Sequence, residues 1–113
     1  MSELIATIYL NDADASFLGF NRIAPARLAA AAGFTLPVDG PVTEAATKAA
    51  LETIFEQLNI DEPTAPWAIK YRLARHRSLS VGDVVALGET AWACASVGWD
   101  RVTTDDLRAA IAR

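Results

Sequence analysis

Three features of the sequence predict an α+β fold, in which a small antiparallel sheet is packed by two to three helices. The N-terminal run ELIATIYL (3–10) carries apolar groups on both alternating faces, the pattern of a strand covered on two sides. The run EAATKAALETIFEQL (44–58) has helical periodicity. VVAL and AWACASVGW, separated by the loop GET, read as a β-hairpin that joins the N-terminal strand in one sheet. With 113 residues, 52% apolar and 21% charged, the chain is expected to form a single domain (1–113) around one core.

After the first strand, NDADAS supplies turn-forming Asn and Asp. FLGFNRI is short and apolar, fitting either a second strand or an irregular lid. PARLAAAAGF places Pro25 at a helix start and Gly33 just past a helix end, with alanines between, so a short helix is expected at 25–32. TLPVDGPV then reads as a connector. In the helix at 44–58, Thr43 is the capping residue and Glu44 suits the positive end of the dipole. Leu51, Ile54, Phe55 and Leu58 fall on one face, and Glu44, Lys48, Glu52 and Glu56 on a solvated opposite face. Residues 59–66 are expected to be loop. WAIKYRLARH fits either a strand or a helical turn. TTDDLRAAIAR, with Thr103 or Thr104 as cap, early acids and late arginines, predicts a terminal helix. The expected order is β, α, α, β, β, α.

The net charge of −4 argues against the broad basic footprint of non-specific DNA binding. Cys94 is the sole cysteine, which excludes an intramolecular disulfide, and the sole histidine, His76, leaves no ligand cluster for zinc. The acid in MSELIATIYL and its short apolar run match neither a signal peptide nor a membrane span, so a reducing cytoplasm is expected. No Gly-rich phosphate loop opens a helix, since Gly82 precedes a strand. No cofactor, metal or membrane association is expected. Cys94 and His76 suggest a nucleophile–base pair only formally, because WACAS is an apolar strand in which cysteine behaves as a small hydrophobe. The chain is expected to be no enzyme.

Lys70, Arg72, Arg75, His76 and Arg77 form one basic cluster in an acidic chain, interleaved with Trp67 and Tyr71. Such a cluster suits an acidic partner surface or phosphate oxygens, and its bland alternative is a solvated face paired with the chain's own acids. In SLSVGD, the short side chains of Ser78, Ser80 and Asp83 suit bonds to nearby backbone amides, while Gly82 permits a sharp bend before Val84.

The segments LETIFEQLNIDEP, RSLSVGDVVAL and AWACASVGWDRV, in that order, resemble the YodL-like small domains of plasmid, integrative-element and phage proteins, often one module of polyvalent or antirestriction-associated chains. Asn59, Pro63, Ser78, Leu79, Ser80, Val81, Asp83, Val84, Gly98 and Trp99 carry the resemblance. Gly82 replaces the family's usual serine at that site, and Ala95 stands where an acid often precedes the closing Ser96. The resemblance implies no established catalytic activity and an accessory role in mobile DNA, such as countering a host defence by binding a host bacterial protein. Together with the basic cluster it points to a partner surface around Trp67, Lys70, Arg72, Arg75, His76, Arg77, Ser78 and Trp99, with Ser80, Gly82, Asp83 and Gly98 as structural elements. The alternative is a nucleic-acid-binding module using the cations at 70–77, which the net charge disfavours.

Overall fold

The computed structural model describes residues 2–13, 16–21, 25–38 and 40–112. Five strands form one antiparallel sheet: β1 (Ser2–Asn11), β2 (Leu28–Val38), β3 (Val84–Leu87), β4 (Thr90–Cys94) and β5 (Trp99–Val102), in the spatial order β2-β1-β3-β4-β5. Three helices accompany them, α1 (Glu44–Asn59), α2 (Pro66–Leu73) and α3 (Thr104–Ala112), with a single 3-10 turn at Ser16–Leu18. The α+β class with an antiparallel sheet is as the sequence predicts.

Both faces of the sheet are covered, and strand alternation divides the core accordingly. Leu4, Ala6 and Ile8 of β1, Val85 and Leu87 of β3 and Trp92 of β4 pack against Leu51, Ile54 and Leu58 of α1 and Ala68 and Tyr71 of α2. On the other face Val84, Ala91, Ala93 and Val102 pack with Leu28 and with Ala110 of α3. Of the second face of β1, Tyr9 packs against this cluster while Ile5 is exposed, so the strand is fully covered on its Leu4, Ala6, Ile8 side alone.

The helix expected at 25–32 is not formed: Leu28–Val38 is the eleven-residue strand β2, paired with β1 along its whole length. An eight-residue helix is marginal on its own, and 25–32 offers Leu28 as its one large apolar side chain for packing to stabilise. β1 meanwhile presents backbone N–H and C=O groups on both edges, and β3 meets it only from Ala6 to Tyr9. Pairing all of β1 satisfies more buried backbone groups than local alanine propensity contributes. A bulge between Ile8 and Tyr9 absorbs the extra residue Ala31. The expected connector TLPVDGPV is accordingly still strand as far as Val38. FLGFNRI forms no strand where it is described, its beginning falling in the Ser16–Leu18 turn; Arg22 and Ile23, like Asp14 of NDADAS, lie outside the described residues.

The other elements follow their local chemistry. Thr43 caps α1 through its hydroxyl, which accepts from the Ala46 N–H. WAIKYRL is helical, with Pro66 at the start of α2. Gly88 and Glu89 make the two-residue β3–β4 turn, with Gly88 at φ +62°, the position a type II′ turn reserves for glycine. AWACASVGW is two strands, not one: Ala95–Gly98 turn the chain from β4 into β5, the Ala95 N–H donating to the Gly98 carbonyl. Thr103, not Thr104, caps α3 by accepting from the Asp106 N–H.

Candidate functional site

The basic run of residues 70–77 begins inside α2 and ends at the approach to β3, and its members meet different fates. Asp83 lies just before β3 and is 0% exposed. Its carboxylate accepts a bidentate pair from Arg77, Nη1 to Oδ2 at 2.6 Å and Nη2 to Oδ1 at 2.7 Å. It also accepts the backbone N–H of Asn11 and of Ser80, both at 2.8 Å. Arg77 reaches further, donating to the carbonyls of Asn11 and Ser78 and to the Ser80 hydroxyl. A planar fork on a carboxylate is the strongest geometry available to these groups. The bond to Asp83 raises the Arg77 pKa further above its already high ordinary value.

The rest of this clasp is backbone. Gly82, at φ +95°, donates its N–H to the Cys94 carbonyl, and a Cβ there would stand 2.2 Å from the carbonyl oxygen of Ser16. The Asn11 side chain donates to the Gly82 carbonyl and accepts from the N–H groups of Ala13 and Arg27, making the turn its residue type promised. Ser80, Gly82 and Asp83 thus tie the end of β1 to the start of β3. Ser78 is exposed and takes part through its carbonyl.

Arg72, although exposed, is also engaged by the fold. Its guanidinium donates to the carbonyls of Ile60 and Asp61, binding α2 to the end of α1. The Gln57 amide oxygen accepts the N–H groups of Thr64 and Ala65 just ahead of α2. α2 is therefore held at both ends.

That placement opens a groove between α2 and the edge strand β2. It has a volume of about 350 Å³ and is lined by Ala31–Phe34 on one side, by Trp67, Lys70, Tyr71 and Ala74 on the other, and by His76. The four α2 positions follow i, i+3, i+4, i+7 spacing, one stripe of the helix continued to its C-cap. Trp67 stacks on Phe34, ring centroids 4.3 Å apart and 7° from coplanar. Tyr71 meets the His76 ring at 4.9 Å, and its hydroxyl donates to the Arg77 carbonyl at 2.7 Å. Burial, with the Asp83 charge nearby, pushes the Tyr71 phenol up to about 12. Arg75, at φ +66°, makes the turn that returns the chain from α2 to this wall. Among the described residues Lys70 is the one Lys or Arg on the groove lining, and no acid lines it.

The structure thus brings Trp67, Lys70 and His76 together and sends Arg72 and Arg77 to structural contacts. Trp99 is elsewhere: it sits on β5, at the opposite edge of the sheet from β2. Four inter-strand steps of about 4.8 Å put it roughly 19 Å from the groove strand. There its ring packs edge-on to Phe55 and its indole N–H donates to Glu52. Gly98 serves the adjacent turn. Phe34 and the 31–33 backbone were missed because that segment reads as a helix; the alternation of Phe34, Leu36 and Val38 is the signal that marks it as strand.

Cys94 lines a different cavity, of about 270 Å³, with Val81, Ser96 and Asp100, so it shares no site with His76. Burial, and then the charges of Asp83 and Glu52, push its thiol up to about 11, the wrong direction for a nucleophile. Among the described residues no group of three or more His, Cys, Asp or Glu side chains converges as a metal site requires. No helix among them is long and apolar enough to cross a membrane. Scans against known protein families, curated proteins and solved structures find no match to this chain.

Proposed function

We propose that this chain is a non-catalytic protein-interaction module, an accessory factor of a phage or mobile element that acts in the bacterial cytoplasm by binding a host protein. The observation that carries the reading is the α2–β2 groove: an open, aromatic-walled cleft at a sheet edge, with one cation and no opposing acid among the described residues. Clefts that combine apolar walls with a few polar groups are ordinary docking sites. The resemblance of SLSVGDV and its neighbours to YodL-like domains supports the mobile-element setting and a role in counter-defence. The nucleic-acid alternative draws on Lys70, Arg72, Arg75 and Arg77, of which Arg72 and Arg77 direct their guanidinium groups to backbone carbonyls and to Asp83.

Affinity capture from bacterial lysate with the native chain and with Ala74→Arg, which fills the groove, tests the reading. The native chain retains a saturable protein partner and Ala74→Arg loses it. Equal retention by both removes the groove from the function. A mobility shift with duplex DNA that weakens steeply with salt transfers the function to the alternative.

A further inference from the structure

β2 is the end strand of the sheet, and among the described residues nothing pairs with its outer edge. Which of its backbone groups face outward follows from the ladder. The Ile5 carbonyl accepts from the Gly88 N–H on the β3 side, and the Asn11 N–H also turns to that side, toward Asp83. Odd positions of β1 therefore turn their N–H and C=O toward β3 and even positions toward β2. Leu4, Ala6 and Ile8 pair with Leu36, Phe34 and Ala32. On β2 it follows that Gly33 and Thr35 point their N–H and C=O groups away from the sheet.

Edge strands are normally blunted by charge, proline or a bulge. β2 (LAAAAGFTLPV) carries no charged residue. Its protections stand at the two ends of one window: the Ala31 bulge before it and Pro37 after it. Between them lie the outward groups of Gly33 and Thr35, and this is the stretch that borders the groove. Ala32 and Phe34 turn their side chains into the groove, and Gly33 contributes backbone to its wall. A helix stripe beside an open strand edge is the arrangement in which extended peptides add to a sheet, main chain supplying affinity and alternate side chains specificity.

We infer that an extended acidic segment of the partner adds to β2 as a sixth strand between the Ala31 bulge and Pro37, alternate side chains entering the α2–β2 groove and a carboxylate pairing with Lys70. This deepens the docking reading of the groove and rests on it. The acidic preference comes from charge: the Lys70 ammonium stands at the groove, and among the described residues no acid lines it. A second copy of this chain is the poorer occupant, since its β2 is uncharged and would bring no acid to Lys70.

The test uses the full chain and a fluorescein-labelled peptide of alternating glutamate and valine, with its lysine–valine counterpart, by fluorescence anisotropy. The glutamate peptide binds and the lysine peptide does not. Thr35→Pro, which removes one outward N–H at an edge position that tolerates proline, weakens binding about tenfold, as loss of one hydrogen bond to the ligand predicts. Lys70→Glu abolishes it, and circular dichroism of both variants confirms the native fold. N-methylation of alternate peptide amides also abolishes binding. Equal binding of both peptides, or binding indifferent to Thr35→Pro and to N-methylation, overturns strand addition. If the lysate partner is lost on Ala74→Arg but kept at full affinity by Thr35→Pro, strand addition fails while the docking reading stands. If Ala74→Arg keeps the partner, the docking reading itself fails. A native dimer in sedimentation that Thr35→Pro dissociates assigns the edge to a second copy and overturns the proposal.

Discussion

Residues 70–77 hold two sites of opposite character a few residues apart. At one end Arg77 is locked onto a buried carboxylate, both terminal guanidinium nitrogens and both carboxylate oxygens taking part. At the other, Lys70 stands on an open groove that no acid lines among the described residues. The cations are alike in sequence; what separates them is what the fold places opposite. A buried carboxylate requires compensation and takes the nearest guanidinium, whereas an exposed ammonium at a groove has only water or a ligand. A basic cluster is therefore no footprint until its acceptors are known.

The largest expected effect breaks the clasp. Arg77→Ala leaves Asp83 buried with two backbone donors and no counter-charge, at a cost of about 3 kcal/mol. This is the low end for buried pairs, because the Arg77 side chain is itself 45% exposed. In urea unfolding followed by circular dichroism the midpoint falls accordingly. Its loss should be compared with Lys70→Ala, expected within about 0.5 kcal/mol of the native chain as an exposed site. Equal effects at the two positions dissolve the contrast.

Next is Gly82→Ala, which drives a methyl group into the Ser16 carbonyl and forces a positive φ on alanine. It costs about 2 kcal/mol or more, read as a drop in the thermal midpoint with the groove's peptide binding retained below it.

Alkaline titration probes the burial around the clasp. Tyr71 is raised from 10.0 to about 12 and Cys94 from 9.0 to about 11, so the folded state holds these protons more tightly than the unfolded chain. Stability from both is present in full below pH 9 and is lost as pH rises through 9 to 12. In Cys94→Ala the loss begins nearer pH 10, the ordinary value for tyrosine. An unchanged onset contradicts the burial of the thiol. A small effect of opposite sign is expected at Arg75, whose φ of +66° suits glycine. Arg75→Gly should change the midpoint by no more than about 1 kcal/mol, and toward stability.

Much of the architecture was legible in residue order. Thr43 and the 51–58 stripe announce α1, the acids and apolar positions of 104–111 announce α3, and VVAL with the GET turn announces the hairpin. Gly82 and Asp83 were recognisable as turn elements. Asn11 was recognisable as a turn former but not as a partner of Gly82, seventy-one positions away. The groove was half legible: Trp67, Lys70 and His76 stand out, but Phe34 and its strand do not. Trp99 drew attention for its residue type and family position, although the sheet order takes it to the far edge.

By itself the sequence determined the elements that short-range chemistry decides: helix caps, turns at Asn and Gly, and the periodicity of faces that must be buried. Only the tertiary structure decided that the alanines of 29–32 are strand. Their helix preference is a local term of a few tenths of a kcal/mol per residue, outweighed by the backbone of β1 that they satisfy. It also decided which cations are spoken for, because the partner of Arg77 at Asp83 and the carbonyls met by Arg72 are set by where the chain returns. Propensity is a property of neighbours in sequence; compensation of buried charge is a property of neighbours in space.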